Sequence, residues 1–121
     1  MVNAVSFGFS NNFGQLYENL VFLQLLRSNR EIYYWQDKNN VEVDFVIKDG
    51  LKAGSLIQVC SDISNADTLL REINGLVSGL EYFSIPEGTI ITSDLFAEEK
   101  IEGKKIRYVP LWYWLLETDQ Q

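Results

Sequence analysis

The sequence of 121 residues has no histidine, a single cysteine and only two prolines. Without histidine there is no Ser–His–Asp or Cys–His catalytic arrangement, no HExxH zinc site and no Cys2His2 finger. The lone Cys60 can neither close an internal disulfide nor build a structural zinc site, so nothing asks for an oxidising compartment. No apolar run approaches the ~20 residues that cross a bilayer. The first thirteen residues have no basic start and no continuous apolar core, so they do not read as a signal peptide. The expectation is a cytoplasmic protein with no membrane partner.

Positive charge is also scarce. Ten Lys and Arg face seventeen Asp and Glu, for a net charge of −7. The imbalance sits in residues 61–121, with five basic and eleven acidic side chains. Such a surface repels phosphate backbones, which disfavours nucleic acid as a partner. A P-loop is absent as well. Gly103-Lys104 would need a glycine five positions earlier, where Glu98 stands, so this chain does not hydrolyse ATP by that route.

What remains is an ordinary globular composition, 46% hydrophobic and 22% charged, of a length that suits one domain. Residues 1–13 read as an irregular lead-in and 14–121 as the domain. Leu16, Leu20, Leu23 and Leu26 recur at helical spacing and predict a helix over Gln15–Asn29. Glu31–Gln36 is β-branched and aromatic, and Val41–Ile47 alternates at period two. With polar Asp37–Asn40 between them they predict a hairpin. Asp49-Gly50 and Gly54 mark a turn before a short apolar strand, Ser55–Cys60. Ser64 is the expected N-cap of a second helix, over Ser64–Leu80, with Leu69, Ile73, Leu76 and Leu80 as its apolar stripe. Thr89–Thr92 is a fourth strand, Asp94–Gly103 an acidic loop, and Lys105–Val109 a fifth strand. Pro110 then opens a short terminal helix through Leu116. The expected class is α/β (α+β), a mixed central sheet flanked by helices.

Period-two alternation places Glu42 and Asp44 on one face of the second strand, and Val41, Val43, Phe45 and Ile47 on the other. On the third strand Leu56, Gln58 and Cys60 share a face. If the two strands pair, Asp44 comes near Gln58. Glu18 on the first helix has Val21, Phe22 and Leu25 as helical neighbours, and a carboxylate so placed needs a partner or a metal once buried. Each has a plainer reading. Glu18 hydrogen-bonds a polar pocket, Glu42 is a solvated strand-face acid, and Cys60 is a small buried hydrophobe. The Tyr33–Trp35 and Trp112–Trp114 runs are packing residues.

Three segments together carry a resemblance: Gly14-Gln15-Leu16-Tyr17-Glu18-Asn19-Leu20-Val21-Phe22, then Tyr33-Tyr34-Trp35, then Val41-Glu42-Val43-Asp44-Phe45-Val46. The closing Pro110-Leu111-Trp112-Tyr113-Trp114-Leu115-Leu116 extends it over nearly the whole chain. The chain resembles the uncharacterised C-terminal domain found behind an AAA-type ATPase module in many bacterial and archaeal proteins. That resemblance implies a restriction-endonuclease-like PD-(D/E)XK fold with an αβββαβ core. It also implies that the Walker motifs lie in an N-terminal part of a longer polypeptide, or that the chain is a stand-alone remnant of one.

Active members of that fold bind a divalent metal through carboxylates on the first helix and on the second and third strands. A lysine two residues past the third-strand acid assists the attacking water. Carried over, the resemblance makes Glu18 the helix acid and Asp44 the second-strand acid, both metal ligands. The E-x-K position reads Gln58-Val59-Cys60. A neutral amide is a poor ligand for Mg2+, and a thiol does not supply the fixed positive charge of lysine. Glu18, Asp44, Gln58 and Cys60 are therefore expected as vestigial site positions. Mg2+ or Mn2+ is expected only if the site is alive through migrated groups such as Arg71 or Glu72; otherwise no cofactor is expected. The expected function is a non-catalytic accessory domain binding the ATPase module or another protein. The alternatives are a metal-dependent DNA or RNA nuclease with migrated residues, or a nucleic-acid-binding module without cleavage.

Overall fold

A computed structural model describes residues 13–119. The elements run α1 (Phe13–Arg27), β1 (Ile32–Gln36), β2 (Glu42–Asp49), β3 (Lys52–Val59), α2 (Ala66–Phe83), β4 (Glu87–Thr92), β5 (Ala97–Ile101), β6 (Lys104–Pro110) and α3 (Leu111–Asp119). Residues 1–12 of the expected lead-in lie outside the described residues, and Phe13 opens α1. The strands form one mixed sheet in the order β1-β2-β3-β4-β6-β5. β1, β2 and β3 are an antiparallel meander, and β3, β4 and β6 are parallel. The mixed α/β architecture expected from the sequence is what the chain adopts. No helix among the described residues is long and apolar enough to cross a membrane.

The sheet separates two cores. On one face α2 packs Leu76, Val77 and Leu80 against Val43, Val46, Leu56, Ile90 and Ile106. On the other, α1 and α3 pack Val21, Leu25 and Trp114 against Phe45, Ile57, Val59, Ile91 and Val109. α2 approaches the sheet unusually closely because Gly75 and Gly79 lie one turn apart on its inner face. A Cβ at Gly79 would stand 2.6 Å from Val43 Cγ2, and one at Gly75 would run into the Glu42 carbonyl.

Several expectations are corrected. The leucine stripe of α1 does not face the core: Leu16, Leu20, Leu23 and Leu26 are all exposed, and Val21, Gln24 and Leu25 are buried instead. The helix has apolar residues on more than one face, and only packing chose between them. β3 starts three residues early, and Gly54 lies inside it at a bulge where Ile47 pairs Ser55 but Lys48 pairs Ala53. Gly50, at φ 71°, makes the turn.

Asn65, not Ser64, caps α2, its side chain accepting from Thr68 N, and Ser64 bonds to Asp62. The helix runs on to Phe83 and stops where Ser84 turns left-handed at φ 58°. The acidic stretch expected as a loop contains β5. Glu102 and Gly103, both at positive φ, form the tight turn that folds β5 onto β6. β5 is an edge strand and all but its last residue are exposed, so its charged residues carry no alternating signal. Pro110 ends β6 rather than lying inside α3, which continues to Asp119.

Candidate functional site: the fork between β2 and β3

β2 and β3 pair from Asp49–Lys52 up to Phe45–Ile57 and then part. Beyond that point β3 keeps only β4, with Gln58 opposite Ile90 and Val59 opposite Ile91. β2 also carries an extra residue here, because Tyr33 pairs Val46 while Trp35 pairs Val43. This bulge breaks the alternation expected for β2. Val43 and Val46 face α2, whereas Phe45 and Ile47 face α1 and α3.

The fork is closed by side chains in place of a backbone ladder. Gln58 is fully buried. Its Oε1 accepts from Asp44 N at 2.7 Å, and its Nε2 donates to Glu42 O at 2.9 Å and to Glu72 O at 3.0 Å. One amide thus ties β3 to β2 and to α2, and the close approach at Gly75 makes the third tie possible. Across the same gap Val59 N donates to Asp44 Oδ2 at 2.9 Å. The expected proximity of Asp44 and Gln58 is realised, through backbone as well as side-chain atoms.

Four carboxylates surround this fork. Burial, followed by repulsion from Glu72 and Glu18, holds Asp44 well above the usual carboxylate range despite the bond from Val59 N. Burial pushes Glu72 on α2 up to about 7, opposed by Arg71 and reinforced by Glu18 and Glu42. Partial burial and then Glu42 raise Glu18, although Glu18 as a whole is solvent-exposed and so forms the rim of the cluster. Glu42 is exposed and accepts from the Tyr34 hydroxyl at 2.9 Å.

Of the sequence-predicted positions, Asp44 and Gln58 are joined directly, and Glu18 is near enough to Asp44 for its charge to raise that carboxyl. Cys60 is 2% exposed, with its sulfur 3.7 Å from the Asp62 carbonyl, and burial pushes its thiol up to about 11. The thiol is on the α2 side of the sheet, packed into that core. Sequence reasoning placed Glu72 only as a possible migrated group and missed Tyr34 and Gly75. Of the aromatic runs expected to pack, Trp35 packs against the α2 core and Trp114 is buried, whereas Tyr33, Tyr34, Trp112 and Tyr113 are exposed.

A divalent metal fits this arrangement poorly. Among the described residues no three Cys, Asp or Glu side chains are gathered to hold an ion. Gln58 Oε1 and Asp44 Oδ2 each accept a backbone N–H that closes the fork, so a metal drawing on the same oxygens would share them with those bonds.

An uncharacterised protein of Methanocaldococcus jannaschii, MJ1544, is 33% identical over 120 residues, a region covering 92% of this chain. The chain spans only 26% of that relative's length. The sequence pattern of DUF4143, a domain of unknown function, matches residues 13–114, and the chain belongs to that family.

Proposed function

We propose that this domain is a non-catalytic accessory and interaction domain of an AAA-type ATPase, built on a restriction-endonuclease-like core whose nuclease site has become structural. The observation that carries the reading is the use made of Gln58. At the position where a nuclease of that fold holds a metal-binding acid, this chain holds an amide whose donors and acceptor are all spent on backbone. An acid there would lose both donated bonds. The companion lysine position is Cys60, a buried thiol in a hydrophobic core. The larger size of MJ1544 fits a domain that works as part of a longer polypeptide.

One observation favours a second reading. Glu72, from α2, joins Asp44, Glu18 and Glu42 around the fork, as a migrated ligand of a metal-dependent nuclease would. Calorimetric titration of Mg2+ and Mn2+ separates the two. The accessory reading expects no binding that depends on Asp44 or Glu18. Binding abolished by both Asp44→Ala and Glu18→Ala, accompanied by cleavage of DNA or RNA, would replace it with the nuclease reading.

A further inference from the structure

Beyond the C-terminal ends of β4 and β6, toward the β5 edge of the sheet from the fork, three aromatic rings stand together in solvent. Phe96 is 53% exposed, Trp112 54% and Tyr113 38%. They contact one another edge to face, with centroids 5.9 Å apart for Phe96–Trp112, 5.0 Å for Phe96–Tyr113 and 5.9 Å for Trp112–Tyr113. Leu116, one turn beyond Trp112 on α3, extends the apolar surface at 56% exposure.

The patch is rigidly mounted. Thr92, fully buried at the end of β4, accepts from Leu95 N at 3.0 Å and donates to Leu95 O at 3.1 Å, which pins the loop that carries Phe96. Trp112 and Tyr113 occupy the first turn of α3, anchored by buried Leu111 and Trp114. Three rings pre-set in this way lose little conformational freedom on binding, and clustered exposed aromatics of this kind mark contact sites.

Charge identifies the occupant. Residues 93–99 and 111–119, which carry the patch, contain Asp94, Glu98, Glu99, Glu117 and Asp119 and not one Lys or Arg. Of these acids, Glu117 is paired with Arg107, Asp119 with Arg27 and Glu98 with Lys105, and Glu99 accepts from the Tyr108 hydroxyl, which leaves the charge of Asp94 to face the patch. Among the described residues no cation pairs with Asp94. Aromatic faces bordered by acids favour a guanidinium, which stacks on the rings and keeps its charge beside the carboxylates. We propose that the Phe96–Trp112–Tyr113 patch docks an arginine-bearing basic segment of a protein partner.

This rests on the interaction-domain reading, but its readout uses Phe96, Trp112 and Asp94 and none of the fork residues that the metal titration tests, so either can fail alone. The test is fluorescence anisotropy of a labelled peptide alternating arginine and glycine, titrated with the 121-residue chain. A matched peptide carrying neutral citrulline in place of arginine is the control. The expected result is saturable, salt-weakened binding that drops roughly tenfold or more with citrulline. Trp112→Ala and Phe96→Ala should each weaken it by a similar factor, the usual effect of removing an aromatic anchor. Asp94→Asn should weaken it less and flatten its salt dependence. Circular dichroism accompanies each variant, and if Trp112→Ala unfolds, the loop variants Phe96→Ala and Asp94→Asn decide. Three outcomes overturn the proposal: no binding, equal binding of the citrulline peptide, or arginine binding unchanged by the aromatic variants. The last would be bulk attraction to an acidic surface.

Discussion

Replacing Gln58 with glutamate restores the acid that a nuclease of the restriction-endonuclease fold would hold, and the fork predicts that this fails as a folding event before it can matter as chemistry. The substitution exchanges the amide nitrogen for oxygen. The acceptor that Asp44 N uses at 2.7 Å survives, but the donors to Glu42 O and Glu72 O, at 2.9 and 3.0 Å, are lost. Two carbonyls then face a carboxylate oxygen at a fully buried position, next to the already unfavourable Asp44 and Glu72. Each lost bond costs about 1 kcal/mol net, and each buried group left unpaired raises this toward ~1–3 kcal/mol, so the total is about 3–5 kcal/mol at pH 8. Against a typical total stability of ~5–15 kcal/mol this is a large fraction. The introduced carboxyl is buried and has its folded pKa raised, so the variant regains part of the loss on acidification, when the neutral acid can donate once. Urea unfolding followed by circular dichroism at pH 8 and pH 5 measures both effects. A Gln58→Glu protein within ~1 kcal/mol of the parent at pH 8, with no relative gain at pH 5, would refute the claim that this amide holds the fork together.

Two further variants probe the same region. Burial pushes Glu72 up to about 7 in the folded protein, above the ordinary glutamate range near ~4.5, so the native state binds the extra proton and stability falls as pH rises through that window. Its side chain is only 17% exposed. At ~1.36 kcal/mol per pH unit across that window, Glu72→Gln gains at most about 3 kcal/mol at pH 8 and flattens this slope. Thermal melts across pH 5–8 that stay parallel to those of the parent would contradict it. Gly75→Ala, despite the better helix propensity of alanine, places a Cβ against the Glu42 carbonyl and 2.8 Å from Gln58 Nε2. It should destabilise by about 2 kcal/mol or more, whereas Asn74→Ala on the exposed side of the same helix should gain a few tenths. Melting temperatures of the two variants shifting in the same direction would show that the close approach of α2 is not tight.

Local pattern carried much of the architecture. The β1–β2 hairpin was legible because alternation and a polar turn agree, and α2 because its stripe of Leu69, Ile73, Leu76 and Leu80 has one inward face. α1 was legible as a helix but not in orientation, since its regular leucines are the exposed ones. β5 was illegible because a charged edge strand buries nothing and owes its conformation to hydrogen bonds from β6.

The candidate site divides in the same way. Sequence alone determined its membership on β2 and β3, because residue identity and strand period place Asp44 and Gln58 there whatever else happens. It also determined what is absent: histidine chemistry, disulfides and a P-loop, none of which folding can supply. Only tertiary structure decided how those residues are used. The bulge in β2, the parting of β2 from β3 and the approach of α2 at Gly75 involve pairings between segments distant in sequence. Their result, a buried amide joining three elements while Glu72 crowds Asp44, depends on distances that no local pattern encodes.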